Sequence, residues 1–281
     1  SFPYIVLGAG VIGYLGGRIA PARFRGGAQH SGHAAAENTA LIDDHTPAPE
    51  HVRVYGRRIA LYVTIGILLW GAALGLLWLT FGWNGAFTQM GWFFTKAALL
   101  TFGGAYAVLP YVQQAAVEQF GWLTAAQMID GLALGETTPG PLIMVVTFVG
   151  FVGGWTHDPL GAALPAWSGI VGGLVATWFT FLPSFLFIFV GAPLVERTRG
   201  DHKFTAPLVA ITAAVVGVIV NLAAYFAAHV LWPSGATLDW VAVAITLGAL
   251  VALWRFKVGV IPVIGACALL GLLSSLLGPF S

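Results

Sequence analysis

The chain of 281 residues is 58% hydrophobic and only 8% charged, whereas about a quarter of the residues of an ordinary soluble domain are charged. So few charges cannot cover the water-facing surface of a soluble protein of this size, and the composition predicts an α-helical membrane protein. The formal net charge of +1 predicts no nucleic-acid partner, and a single cysteine, Cys267, excludes an internal disulfide or a cysteine metal cluster.

The first apolar segment, residues 2–17, contains the run GAGVIG from Gly8 to Gly13, which has the glycine spacing of a dinucleotide-binding fingerprint. That spacing has meaning only at a turn between a strand and a helix of an alternating α/β chain, and here a polar stretch begins at Arg18 instead. The glycines therefore indicate a membrane helix whose small residues allow close helix packing. Because the apolar run follows Ser1 directly, without a basic leader, we interpret Ser1 as an internal position of a longer protein.

Residues 18–58 form the one long polar stretch, which predicts a flexible linker. Its histidines follow no metal-ligand spacing, so no metal site is predicted there. Its two ends carry six of the twelve basic residues of the chain, namely Arg18, Arg23, Arg25, Arg53, Arg57 and Arg58. By the positive-inside rule the linker is expected to be cytoplasmic.

Further apolar runs predict membrane segments at residues 59–81, 87–109, 142–155, 170–190, 207–231, 238–254 and 258–277. Alternating spans that start from a cytoplasmic linker place the basic loops 196–203 and 255–257 on the cytoplasmic side and leave the outer loops without Lys or Arg. This agreement supports an all-α, polytopic transmembrane helical bundle with about eight membrane segments.

Residues 87–155 depart from this regular pattern. Their apolar runs are interrupted by Lys96, by the pair Gly103-Gly104, by Pro110 and by the run TTPGP from Thr137 to Pro141. We therefore expect broken or re-entrant helices in this region, as in transporters whose discontinuous helices meet at a binding site.

A short helix is predicted inside the broken region. Thr124 and Gln127 have the spacing of a capping box, which predicts a helix that begins at Ala125. The apolar run 142–155 is too short for a full span and suits a half-helix.

Lys96 lies about ten residues into an apolar segment, where an ionised side chain is expensive and needs a partner or a watery cavity. Three interpretations stay open. The ammonium group attracts a substrate anion, it neutralises Asp130 or Glu136 in a structural pair, or it reaches the outer membrane interface along its apolar stem.

The run from Thr137 to Pro141 predicts the start of a membrane helix, with Thr137 or Thr138 as the N-cap. The free N–H groups of Gly140 and Leu142 would then face an anion. The alternative is a helix start that only turns the chain at the interface.

The pair Gly103-Gly104 either lets the backbone unwind around a cavity or lets another helix approach closely. Asp130 and Glu136 are carboxylates of the kind that carries protons in a low-dielectric cavity, and both also suit ordinary interface positions. The metalloprotease, serine-hydrolase and P-loop patterns are absent, so we predict no enzyme, and any transport would draw on an ion or potential gradient.

Three motifs carry a resemblance to a known family: TFGGAYAVLP at residues 101–110, WLTAAQMIDGLALGETTPGP at 122–141 and LIMVVTFVGF at 142–151. With them, residues 93–197 closely resemble the chromate ion transporter (CHR) family. Its glycine–proline, acidic–glycine and proline–glycine–proline motifs correspond here to Gly103, Gly104, Pro110, Asp130, Gly131, Glu136, Pro139, Gly140 and Pro141.

The resemblance implies export of chromate across a bacterial inner membrane, with sulfate as a competing analogue and the proton gradient or membrane potential as the driving force. Family members are short chains that pair or long chains with two homologous halves, and this chain resembles a second half. Residues 1–17 would then be the last helix of a missing first half, 18–58 the linker, and 59–281 a CHR-type transmembrane domain that pairs with that half or forms a homodimer.

The expected function is a secondary transporter for a tetrahedral divalent oxyanion, embedded in the bilayer and without a cofactor. Candidate substrate-binding residues are Lys96, Gly103, Gly104, Thr137, Thr138, Gly140 and Leu142, the proton-coupling candidates are Asp130 and Glu136, and Pro110, Pro139 and Pro141 are structural. Two alternatives stay open: a transporter of the same fold for sulfate or another small anion, and a non-transporting membrane scaffold or assembly subunit whose charged motif only holds helices together.

Overall fold

The computed structural model describes residues 2–19, 56–101, 105–138, 142–161, 164–198, 205–232 and 237–276, and every regular element in these ranges is helical. The α-helices are α1 (Phe2–Ile19), α2 (Gly56–Phe81), α3 (Ala86–Leu99), α4 (Ala105–Gln113), α5 (Ala125–Thr137), α6 (Val145–His157), α7 (Pro165–Thr198), α8 (Thr205–Leu231), α9 (Trp240–Trp254) and α10 (Val260–Leu276). A π-helical turn spans Gln114–Gln119 and a 3₁₀ turn spans Leu142–Met144. The predicted all-α class is confirmed, and most of the predicted linker lies outside the described residues.

The lengths of the apolar helices fit a membrane protein. Four are long and apolar enough to cross a bilayer: Phe2–Ile19, Arg57–Phe81, Pro165–Gly191 and Ala206–Leu231. A crossing of about 30 Å needs about 20 residues at the helical rise. The apolar helices Val145–His157, Trp240–Trp254 and Val260–Ser274 are shorter than that, so three of the predicted segments are helices that do not reach across a bilayer alone.

The predicted interruption of the apolar segment 87–109 is confirmed, because two helices lie where a single span would need one. Helix α3 ends at Leu99, where the backbone N–H of Leu100 closes the last turn, and α4 begins at Ala105. The break falls where Gly103-Gly104 predicted an interruption, although residues 102–104 lie outside the described residues. A break of this kind is expected of adjacent glycines, which stabilise a helix poorly.

The predicted start of α5 is confirmed. The Thr124 hydroxyl accepts a hydrogen bond from the backbone N–H of Gln127, and the Gln127 side chain accepts one from the backbone N–H of Thr124. This reciprocal capping box satisfies two donors that a helix N-terminus leaves unpaired. It therefore fixes where α5 begins.

Contacts divide the chain into two compact units. The first unit comprises Ser1–Gly103 and Trp178–Val216, and the second comprises Gly104–Thr177 and Gly217–Ser281. Helices α7 and α8 each contribute one part to each unit. The first unit therefore holds α1 to α3, and the second holds α4 to α6, α9 and α10.

In the first unit the glycines of α1 form a packing surface against the start of α8. A Cβ atom on Gly13 would lie 2.6 Å from the carbonyl oxygen of Ala206 and 2.7 Å from the Cβ of Ala210, and one on Gly17 would also meet Ala206. The run GAGVIG lies inside one continuous helix with no strand before it in the described residues. The interpretation as a small-residue helix contact, rather than a dinucleotide fingerprint, is confirmed.

In the second unit α6 and α7 also pack through small residues. A Cβ on Gly150 would collide with the carbonyl oxygen of Gly172, so the two backbones touch. At this contact the hydroxyl oxygens of Thr147 and Thr177 lie 2.7 Å apart. Because Thr177 donates its proton to the carbonyl of Gly173, Thr147 is the donor between the two helices, an arrangement that is common between membrane helices.

We predict that Gly13→Leu destabilises the protein whereas Gly8→Leu does not. The added side chain at Gly13 forces α1 away from α8, at a cost of about 1–3 kcal/mol for overpacking, while a Cβ on Gly8 meets nothing within 4 Å. Thermal unfolding of the two purified variants in detergent measures the difference. Equal loss at both positions would contradict the packing role, because only Gly13 of the two lies against α8.

Candidate functional site

Helix ends that flank the two predicted breaks meet in the second unit. Helix α4 starts directly after the first break, and α5 ends at Thr137 just before the second. The 3₁₀ turn Leu142–Met144, which follows the second break, contacts both α4 and α5 as well as α6. Residues far apart in sequence therefore come together at interrupted helix ends, which is the architecture of transporter binding sites.

A single short hydrogen bond joins these ends. The hydroxyl of Tyr106, in the first turn of α4, donates to Glu136 Oε1 at 2.6 Å, which is the length expected of a hydroxyl bound to an ionised carboxylate. Glu136 is half-buried in the last turn of α5, whereas 51% of the Tyr106 surface is exposed. Tyr106 therefore holds the carboxylate while about half of its own surface stays exposed.

The threonines of the second break have a different role from the one predicted. Thr137 closes α5 and Thr138 is its C-cap. The Thr137 hydroxyl donates to the carbonyls of Ala133 and Leu134, and the Thr138 hydroxyl donates to that of Leu134. The prediction that one of them caps the next helix is corrected, because α6 starts only at Val145, with Met144 as its N-cap.

The other predicted residues of this region are only partly described. Leu142 opens the 3₁₀ turn, and Pro139, Gly140 and Pro141 lie outside the described residues. Pro110 is buried inside α4. As a proline within a helix it leaves one backbone carbonyl without its usual donor.

Asp130 and Glu136 differ in their surroundings although both lie on α5. Asp130 is exposed, whereas Glu136 is half-buried and bonded to Tyr106. Between them, Gly131 is buried, and a Cβ there would collide with the ring of Phe148 on α6. The acidic–glycine motif thus combines one close helix contact with one engaged carboxylate.

Lys96 lies in the first unit, in the last turn of α3. It is half-buried, and its ammonium nitrogen lies 5.9 Å from the centroid of the Trp92 ring, within the range of a cation–π contact. Helix α3 ends three residues after Lys96, so the lysine lies near a helix end. A cation at a helix C-terminus is favoured by the helix dipole.

Tryptophan rings lie close together beside α3, the helix that carries Lys96. The ring of Trp92 lies 6.2 Å from that of Trp70 and 6.0 Å from that of Trp83, measured between centroids. Trp70 donates its indole N–H to the buried hydroxyl of Thr95 at 2.9 Å, which fixes α2 against α3. The aromatic contacts give Lys96 a rigid neighbour and hold one face of α3 in place.

Sequence reasoning missed Tyr106 and Trp92. Tyr106 lies inside the motif GGAYAVLP, but only the fold brings it to Glu136. Trp92 precedes Lys96 by one helical turn, a spacing that places two side chains on the same helix face and offered a local signal. In the described part of the chain no three His, Cys, Asp or Glu side chains come together as a metal site.

Comparisons with known proteins give the family. The model of the family described as Chromate transporter matches residues 88–272. The chain is 38% identical over 180 residues to the Chromate transport protein of Pseudomonas aeruginosa, covering 63% of this chain and 39% of that protein. It is 29% identical over 181 residues to the Chromate transport protein of Cupriavidus metallidurans, covering 57% and 42% respectively.

The chain thus spans about two fifths of the length of these two relatives. It is also 29% identical over 171 residues to the Uncharacterized transporter YwrA of Bacillus subtilis, covering 58% of this chain and 83% of that protein. No solved structure matches the chain significantly. Because the family model covers well over half of its residues, this chain belongs to the chromate transporter family.

Proposed function

We propose that this chain is the transmembrane part of a secondary transporter that exports chromate across the bacterial inner membrane, driven by the proton gradient or the membrane potential. The observation that carries the proposal is the match of residues 88–272 to the family, since two relatives bear the name chromate transport protein. The meeting of two interrupted helix ends at the Tyr106–Glu136 hydrogen bond supports it. Lys96 supplies a positive charge for the anion, and Glu136 or Asp130 carries the proton.

The remaining predicted residues have more limited roles in this proposal. Backbone N–H groups near Gly140 and Leu142 bind the oxyanion, and the Gly103-Gly104 break shapes the cavity. The hydroxyl protons of Thr137 and Thr138 are already bonded to carbonyls, so these side chains stabilise the end of α5 rather than donate to an anion. Pro110, Pro139 and Pro141 keep the helices interrupted.

We also propose that residues 59–281 form one CHR-type domain that works in a pair. The support is the coverage of relatives: the chain spans 39% and 42% of the two chromate transport proteins but 83% of the Bacillus subtilis transporter. The partner is a homologous domain, placed before the linker 18–58 or supplied by a second copy. Residues 1–17 then belong to the preceding domain.

Removing the charge of Lys96 should abolish transport. We expect Lys96→Gln to reduce chromate uptake into inside-out vesicles by at least tenfold, because the oxyanion loses an attractive charge, and Lys96→Arg to restore most of it. Lys257→Gln removes an exposed positive charge of the α9–α10 loop and serves as the matched control with normal uptake. Sulfate added in excess tests whether the site prefers another tetrahedral anion.

Two outcomes of this assay would contradict the proposal. Well-folded wild-type protein that takes up no chromate removes the chromate assignment. Loss of protein from the membrane in Lys96→Gln, with uptake per molecule unchanged, shows that the lysine supports packing and contradicts its role in attracting the anion.

The proposed topology makes a separate prediction. With a cytoplasmic linker, Gln119 faces the cytoplasm and Thr156 faces the outside, and both residues are exposed in the fold. In a Cys267→Ala background, single cysteines at these positions should react with a membrane-impermeant thiol reagent from opposite sides. Labelling of both from one side would contradict the alternation of segments, and the labelling of Arg255→Cys from the cytoplasm calibrates the assay.

A further inference from the structure

The Tyr106–Glu136 contact occupies a donor that an oxyanion would use. Tyr106 is the more exposed residue of the pair, and its hydroxyl donates its proton to Glu136 Oε1 at 2.6 Å. A hydroxyl has one proton to donate. An arriving oxyanion can accept that proton only if the carboxylate gives it up.

Charge makes the competition stronger than a simple exchange of acceptors. A carboxylate and a dianion that share one donor would lie within a few ångströms of each other, and like charges at that distance repel strongly where water is scarce. Protonation of Glu136 removes both the competing charge and the need for the Tyr106 proton. Binding of the anion and uptake of a proton by Glu136 therefore favour each other.

We propose, resting on the proposed function, that the Tyr106 hydroxyl is a hydrogen-bond donor for the substrate oxyanion. In the empty transporter Glu136 accepts this hydrogen bond, and it releases the hydroxyl when it takes up one proton. Each substrate dianion is therefore bound together with one proton. The proton comes from water on the side from which the anion enters and converts the Glu136 carboxylate into a carboxylic acid. The Tyr106 proton stays on its oxygen and turns from Glu136 to the substrate. Tyr106 is the anion donor, and Glu136 is the proton carrier.

Few other titratable groups face Glu136 in the second unit. Helix α5 packs against α6, α10 and the 3₁₀ turn Leu142–Met144, and that turn carries no titratable side chain. Helix α6 carries His157 at its far end, and α10 carries Cys267. On α4 the other titratable side chain is Tyr111, and on α5 it is the exposed Asp130, so on the described elements around Glu136 the rival proton carrier is Asp130.

Proton uptake on binding is the direct test. Chromate is added to purified full-length protein in weakly buffered detergent solution, at a pH where dissolved chromate is a dianion, and a pH electrode records the protons taken up while calorimetry counts the bound anions. We expect about one proton per bound chromate in the wild type and none in Glu136→Gln. Glu136→Gln should also bind chromate about tenfold more tightly at alkaline pH, because one like charge has left the site.

Further variants separate the role of each group. Glu136→Asp keeps a carboxylate and should retain proton uptake. That result would exclude disturbed folding at this position as the reason why Glu136→Gln takes up no proton. Glu118→Gln removes another exposed carboxylate of the same unit and should leave proton uptake unchanged. In the Glu136→Gln background, Tyr106→Phe should weaken chromate binding about tenfold. In the wild type the effect should be smaller, because there the hydroxyl is already bonded to Glu136 and the anion gains less from it.

The outcomes distinguish the two proposals. Wild-type protein that binds chromate without taking up a proton overturns this inference and leaves the proposed function standing. Loss of proton uptake in Asp130→Asn but not in Glu136→Gln overturns it in favour of Asp130. Folded wild-type protein that binds no chromate overturns the proposed function and this inference with it.

Discussion

A chain in a bilayer must satisfy its own backbone hydrogen bonds, since lipid offers no partner for an N–H or C=O group. This constraint explains why every described element is helical, and the shortest of the described helices and turns lie from α3 to α6. Interrupted backbone is tolerated at membrane depth only where it is buried in protein or lines a cavity. In the second unit the start of α4, the end of α5 and the 3₁₀ turn gather at one place, so their polar groups serve one another or a ligand.

The same constraint gives the small residues their role. Without a hydrophobic driving force between helices in lipid, tight packing and interhelical hydrogen bonds hold the bundle together. The contacts of Gly13 on α8 and of Gly150 on Gly172 allow backbones to touch, and the Thr147–Thr177 hydrogen bond supports the second contact. Rigid packing of α6 on α7 holds the turn Leu142–Met144 beside α5, where a loosely held turn could not define a binding site.

Local sequence signals predicted local structure well. The start of α5 followed from Thr124 and Gln127, because a capping box is encoded within four residues, and the break before α4 followed from adjacent glycines. The Tyr106–Glu136 bond could not be predicted, since the two residues are 30 positions apart and only tertiary packing sets which helix ends meet. The end of α3 just after Lys96 was missed for a related reason: apolar residues continue through 97–100, so composition gave no stop signal.

The coupling inferred for Glu136 also decides which driving force suits export. A dianion that leaves with one proton moves one net negative charge outward, and a membrane potential of 100 mV, negative inside, contributes about 2.3 kcal/mol to that step. The proton leaves against its own gradient, which costs about 1.4 kcal/mol for each tenfold difference in concentration. The potential therefore outweighs a pH difference of one unit, and the two balance at about 1.6 units. If Glu136 carries this proton as proposed, export moves one net charge instead of two, so it still draws on the membrane potential, and an alkaline outside medium assists export rather than opposes it.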